Sequence, residues 1–128
     1  MAIRTELNLR LPNSPGALAG VCRLLADEHV NILAMTLETT GQLRLVLDNH
    51  VRGAGVLRAQ HHQVTERPVV VAAIANGPGA LAPVLAIAAD AGVNVDYAYG
   101  SATEGTTGAA AVVLGVEDAQ RAAAVTGI

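Results

Sequence analysis

Two hydrophobic spacings alternate along the chain. Within residues 3–11, Leu7, Leu9 and Leu11 alternate with polar residues, which is the period of a β-strand with one solvated face. Residues 17–28 instead carry apolar side chains at every third or fourth position, the spacing of an amphipathic helix. The pattern predicts a strand and then a helix, with one face of the helix covering one face of a sheet.

The same spacings continue to the end of the chain. After the first helix, strand-forming segments are expected at residues 32–35, 40–47 and 64–66, with a weaker helix at about residues 51–60. A second set follows: a strand at 69–75, a helix from near Ala80, strand segments at 95–98 and 107–114, and a helix at 118–125 with Asp118 as its N-cap. Residues 69–75 are almost wholly apolar, which predicts a deeply buried strand.

These two sets of elements reflect an internal repeat. Residues 13–31 (NSPGALAGVCRLLADEHVN) and 76–94 (NGPGALAPVLAIAADAGVN) are identical at 11 of 19 positions, where about two matches are expected by chance. The match resumes at Thr40 and Thr107 with a larger offset, which predicts four extra residues in the second hairpin. We therefore predict two tandem units, residues 1–66 and 67–128.

The order of elements predicts the fold class of each unit. Strand, helix, strand, strand, helix, strand is the split ferredoxin-like βαββαβ arrangement. We therefore predict an α+β protein whose antiparallel sheets carry helices on one face. The second repeat ends directly after its last helix and lacks a clear final strand. An open sheet edge invites pairing, so a homodimer is expected.

Composition narrows the class of protein. Hydrophobic residues make up 52% of the chain and charged residues 15%, a balance typical of a folded core. A net charge of −3 and 2% aromatic residues argue against nucleic-acid binding. The chain has no Lys, which excludes Schiff-base chemistry, and the lone Cys22 excludes an internal disulfide. We expect a cytoplasmic protein without a membrane segment or cofactor.

The most informative segments are the two loops that precede the helices. Each contains a Pro-Gly pair, which turns the chain sharply and lets a ligand approach the backbone. The free N–H groups at the start of a helix favour a carboxylate, so we expect those of Gly79, Ala80 and Leu81 to bind one. Asn13 and Asn76 have side-chain amides that suit an α-amino acid. Alternatively, these Asn residues are only turn formers.

Both repeats resemble the signature of ACT domains. Each contains N-x-P-G-A-L-A, then a helix, and then V-N-I or V-N-V at the start of a strand. The resemblance implies that units pair and bind free amino acids between the loop of one unit and the second strand of another. It also implies that Asn31 and Asn94, which otherwise suit helix C-caps, take part. The candidate binding residues are Asn13, Ser14, Gly16, Ala17, Leu18, Asn31, Ile32, Asn76, Gly79, Ala80, Leu81, Asn94 and Val95.

Other candidate side chains fit structural roles better. His29, His50, His61 and His62 lack metal-ligand spacing, so no metal site is predicted. Two aromatic residues that occur only in the second repeat, Tyr97 and Tyr99, share one face of a strand, and core packing is preferred for them over a pocket wall.

The predicted function is a non-catalytic regulatory module. It would sense a small free amino acid at interfaces between ACT units and modulate a biosynthetic enzyme in trans. Two alternatives remain: a small dimeric ferredoxin-like enzyme using Asp or His acid-base chemistry, and a structural regulatory subunit without ligand.

Overall fold

The computed structural model describes residues 2–102 and 109–126. Its elements are β1 (Ala2–Arg10), α1 (Ala17–Asp27), β2 (Ile32–Leu37), β3 (Gln42–Leu47), α2 (His50–Ala59), β4 (Thr65–Ala75), α3 (Leu81–Asp90), β5 (Val95–Ser101), β6 (Ala109–Val116) and α4 (Ala119–Thr126). The α+β class with antiparallel strands and packed helices, predicted from the hydrophobic pattern, is confirmed.

The chain divides into two compact units. The first unit is Thr5–Arg67, with strand order β2-β3-β1-β4. Both β1 and β2 pair with β3 in antiparallel register. One face of this sheet and the apolar stripes of α1 and α2 form a core centred on Leu7, Leu25, Leu45 and Leu57, all fully buried.

The second unit contains the chain up to Arg4 together with everything from Pro68 onward. Its strand order is β1-β4-β6-β5, with Val70, Val112, Leu114 and Ala122 in its core. The first residues of β1 thus lie beside β4, where the sequence pattern predicted no clear final strand for the second repeat. They supply hydrogen-bond partners for that edge of β4, so an open edge there does not by itself require a dimer.

Strand β4 differs from the prediction. The sequence pattern predicted two strands, residues 64–66 and 69–75, whereas a single strand runs from Thr65 to Ala75. Pro68 lies between these two segments, and proline cannot donate to a sheet ladder. The strand nevertheless continues through it, and the two residues that follow, Val69 and Val70, are fully buried.

The hairpin of the second unit is also longer than predicted. Leu37 pairs with Leu43 in the first unit, and five residues separate them. The equivalent pair in the second unit is Gly100 and Val112, and eleven residues separate them. The second hairpin is therefore six residues longer, not four, and Leu43 corresponds to Val112.

A β-bulge decides where the two tyrosines lie. Val95 pairs with Val116 on the helix-covered face, but the register then shifts, and Tyr97 pairs with Gly115. Tyr97 and Tyr99 consequently lie on the face away from the helices, where their half-buried rings stack with centroids 6.3 Å apart. The preference for core packing was wrong.

Helices α2 and α4 have polar N-caps. The side chain of Asn49 accepts a hydrogen bond from the N–H of Arg52 (3.1 Å) at the start of α2. The side chain of Asp118 accepts one from the N–H of Arg121 (2.9 Å) at the start of α4, which confirms Asp118 as a cap. Among the described residues, no helix is long and apolar enough to cross a membrane.

Candidate functional site

The loops before α1 and α3 share one backbone turn. Gly16 has φ +84° and Gly79 has φ +77°, a left-handed conformation that favours glycine. In each loop the residue after this glycine closes the turn. The N–H of Ala17 donates to the carbonyl of Ser14, and the N–H of Ala80 donates to that of Gly77, both at 3.3 Å. The repeat in sequence is therefore a repeat in conformation.

This turn shifts the available donors by one residue from the prediction. The N–H groups of Ala17 and Ala80 already have backbone acceptors, whereas the prediction treated that of Ala80 as a free donor. The next N–H groups, those of Leu18 and Ala19, have no intrahelical acceptor because they lie in the first turn of α1. Leu81 and Ala82 are their equivalents in α3.

A cavity of about 160 Å³ lies at the start of α1. We call it the first cavity. It is lined by the loop after β1, the first turn of α1 and the end of β2, namely Leu11, Pro12, Asn13, Ser14, Gly16, Ala17, Leu18, Ala19, Leu37, Glu38, Thr39 and Gly41. These segments meet because β1 and β2 are both antiparallel to β3. Their carboxyl ends therefore lie at the same edge of the sheet as the N-terminus of α1.

Backbone hydrogen bonds hold one wall of the first cavity in place. The N–H of Leu11 donates to the carbonyl of Gly41 (2.8 Å), and the guanidinium of Arg10 donates to the carbonyl of Thr40 (2.9 Å). A Cβ at Gly41, whose φ is +90°, would lie 2.3 Å from the carbonyl oxygen of Leu11. Only glycine allows the loop and the hairpin to approach this closely.

The first cavity offers complementary groups to a zwitterion. The N–H groups at the start of α1 lie at the positive end of the helix dipole, which favours a carboxylate. Glu38 is also among the lining residues, and its half-exposed carboxylate forms an ion pair with Arg44. An anion-binding helix end and an acidic residue in the lining suit the two charges of a free α-amino acid.

The second unit has a cavity at the equivalent place. This second cavity measures about 360 Å³ and is lined by Ile74, Leu81, Ala98, Tyr99, Gly100, Ser101, Ala102, Ala110, Ala111 and Val112. The repeat and the strand registers relate Leu11 to Ile74, Leu18 to Leu81, Leu37 to Gly100, Glu38 to Ser101, Thr39 to Ala102 and Gly41 to Ala110. The two cavities therefore share six equivalent lining positions, whereas the loop before the helix lines only the first of them.

The candidate binding residues fall at two places in each unit. Five of them line the first cavity: Asn13, Ser14, Gly16, Ala17 and Leu18. In the second unit Leu81 lines the cavity, and Asn76, Gly79 and Ala80 form the turn that leads to α3. The remaining four, Asn31, Ile32, Asn94 and Val95, lie beyond the opposite ends of α1 and α3.

The two asparagines at these far ends have backbone partners. The N–H of Asn31 donates to a carboxylate oxygen of Asp48 (2.9 Å), and the N–H of Asp48 donates back to the carbonyl of Asn31 (3.0 Å). Asn94 and Glu117 repeat this exchange at 3.1 and 3.2 Å. Within each unit these residues connect the start of the second strand to the end of the third.

The sequence-based prediction missed the wall formed by the second strand. In the first unit this wall includes Leu37, Glu38 and Thr39, and in the second it includes Tyr99 and Ser101. The predicted βαβ order contained the necessary signal, because parallel first and second strands must end at the same edge as the helix begins. Among the described residues, no group of three His, Cys, Asp or Glu side chains could hold a metal ion.

Comparison with known families fits this geometry. The model of the ACT domain matches residues 5–64. Residues 5–64 are an ACT domain. This domain accounts for nearly all of the first unit, including the first cavity. No curated protein sequence matches the chain.

Solved structures resemble the chain over almost its full length. Protein BT0572 from Bacteroides thetaiotaomicron is 28% identical, with a TM-score of 0.86 and coverage of 98% of this chain and 87% of that one. The ligand-free regulatory subunit of aspartate kinase from Thermus thermophilus is 20% identical, with a TM-score of 0.69 and coverage of 98% and 93%. A putative regulatory domain of aspartate kinase from Porphyromonas gingivalis is 16% identical, with a TM-score of 0.64 and coverage of 97% and 91%. The fold therefore matches that of aspartate kinase regulatory domains.

Proposed function

We propose that this protein is a regulatory module that binds a free α-amino acid at the cavity beside the first helix of each unit. The observation that carries the proposal is that each unit has a cavity at the equivalent end of its first helix, where the N–H groups of the first turn have no intrahelical acceptor. The ACT domain at residues 5–64 and the likeness to regulatory subunits of aspartate kinase support a regulatory role.

In the first cavity, the ligand carboxylate would accept hydrogen bonds from the N–H groups of Leu18 and Ala19. Its ammonium group would face Glu38 and the side-chain oxygen of Asn13. Regulation then follows from differential binding: a ligand shifts an equilibrium only if it binds one arrangement of the protein more tightly than another. We propose that the target is a biosynthetic enzyme in trans and that the module acts as a homodimer.

The donor at Ala19 provides a direct test. Proline lacks an N–H, and the first helical turn tolerates it because that N–H has no intrahelical acceptor. The repeat aligns Pro83 with Gly20, the residue after Ala19, so the first turn of α3 already contains a proline. Ala19→Pro should therefore preserve the helix and remove one ligand hydrogen bond. Such a bond to a charged group contributes about 1.5–3 kcal/mol, so affinity should fall about 10- to 100-fold.

Calorimetric titration with each common amino acid would measure this effect, with Ala19→Ser as the control that keeps the donor. A thermal shift offers an independent screen, because a ligand at 100 times its Kd adds about 2.7 kcal/mol of stability. The proposal fails if no amino acid binds the unaltered protein. Equal affinities for the Pro and Ser variants would place the ligand away from α1.

A further inference from the structure

The two cavities differ in size although they occupy equivalent places. The second cavity, at about 360 Å³, has more than twice the volume of the first, at about 160 Å³. A water molecule takes about 30 Å³ in the liquid, so the first cavity has room for roughly five waters. The second falls within the range of about 300–1,000 Å³ that is typical of small-molecule sites.

The difference follows from small residues on the second strand of the second unit. Ala98 stands where the first unit has Met35, because the two residues pair with the equivalent Leu114 and Leu45. Gly100 likewise stands in the place of Leu37. Two long apolar side chains are thus shortened to a methyl group and a hydrogen on the helix-covered face of one strand, and the space beside α3 is correspondingly larger.

In the part of the chain that the structure describes, the walls of the second cavity are apolar, whereas the first has an acidic residue in its lining. Ser101 occupies the position of Glu38, so no carboxylate lines this cavity among the described residues. Ile74, Leu81 and Val112 supply hydrocarbon surface instead. Leu81 is 41% exposed, and filling the cavity with apolar atoms would cover part of its surface. Removal of apolar area from water is favourable in proportion to the area.

We propose that the second cavity selects amino acids with a large apolar side chain, whereas the first accepts only small ones. This inference rests on the proposed amino-acid binding and adds a division of specificity between the units. The ligand carboxylate would lie at the N–H groups of Leu81 and Ala82, and its side chain would extend over Ala98 and Gly100. A single chain would then respond to two chemically different ligands.

The repeat itself supplies the test variant. Ala98→Met installs the residue of the first unit and fills the second cavity from its strand wall, and Ala98→Val is a smaller change if the Met variant folds poorly. Gly100 is unsuitable, because a Cβ there would lie 2.6 Å from the carbonyl oxygen of Ala111. Ala86→Met, at an exposed position of α3 outside the lining residues, is the matched control.

Titrations with glycine, alanine, leucine and phenylalanine would separate the outcomes. Differences of one methylene in an apolar pocket change discrimination about 10- to 200-fold, so Ala98→Met should weaken leucine and phenylalanine at least 10-fold. The same variant should leave glycine and alanine unchanged, and Ala86→Met should leave all four unchanged.

The failures of the two proposals are distinguishable. If amino acids bind but Ala98→Met weakens all four equally, or none, the division of specificity is wrong and the proposed function stands. Absence of binding to the unaltered protein by any amino acid overturns both. Urea midpoints of the variants close to that of the unaltered protein would show that the fold is intact.

Discussion

Replacement of Gly41 by alanine tests the close approach between the loop at Leu11 and the hairpin at Gly41, which form one wall of the first cavity. Gly16 and Gly41 both have left-handed backbones, with φ of +84° and +90°. Alanine at either position is strained in that conformation, which lowers the free energy of unfolding by about 1–2 kcal/mol. A Cβ at Gly16 meets nothing within 4 Å, whereas a Cβ at Gly41 would lie 2.3 Å from the carbonyl oxygen of Leu11. The two variants therefore differ in one contact.

The additional cost at Gly41 has two parts. The loop must move away from the hairpin, and forced shifts in a packed region cost about 1–3 kcal/mol. That movement also breaks the 2.8 Å hydrogen bond from Leu11 to Gly41, which contributes about 0.5–1.5 kcal/mol. Gly41→Ala should therefore destabilise the protein by about 1.5–4.5 kcal/mol more than Gly16→Ala.

Urea unfolding would measure this difference. With a typical slope of about 1–3 kcal/mol per M, an additional loss of about 3 kcal/mol lowers the midpoint by roughly 1–3 M relative to Gly16→Ala. Amino-acid affinity should fall with Gly41→Ala as well, because Leu11 and Gly41 both line the cavity. Equal midpoints for the two variants would refute the reasoning, since they would show that the loop moves away from the hairpin at no cost.

Two further predictions concern the helices. Asn49→Ala and Asp118→Ala each remove a side-chain cap and should cost about 1 kcal/mol in urea unfolding; Asn49→Asp, which keeps an acceptor, should cost little, and a full loss with Asp would contradict a capping role. Gly53→Ala and Gly55→Ala gain the same helix propensity of about 1 kcal/mol. Gly55 faces open space, so its variant should be stabilised, whereas a Cβ at Gly53 would lie 2.3 Å from the buried side chain of Leu47 and should cancel or reverse the gain. Equal stabilisation of both would show that α2 is not packed against β3 at Gly53.

Local sequence signals predicted the helices and most strands. The apolar stripe of α1 and the cap at Asp118 depend on residues three or four apart, so they are visible in the chain. The orientation of Tyr97 was not visible, because a bulge after Val95 reverses the alternation and no residue type specifies that bulge. The length of the second hairpin was misjudged because Thr40-Gly41 and Thr107-Gly108 match by composition while the strand register follows other residues.

The candidate site was only half predictable for a related reason. The loops were recognised from their Pro-Gly pairs, which act locally. The opposite wall, including Glu38 and Tyr99, is close only because the second strand ends at the same edge of the sheet. The contrast between the two cavities depends on side-chain size at Ala98 and Gly100, and that comparison needs the strand register.

Strands β1 and β4 each contribute residues to both units, and this affects where the duplicated halves can be separated. A fragment cut at the seam of the repeat, before residue 67, would give a second half without the residues 2–4 that belong to its own compact unit. The sequence repeat and the compact units therefore have different boundaries. A rearranged chain in which residues 2–4 follow the last helix would hold each compact unit in one continuous stretch.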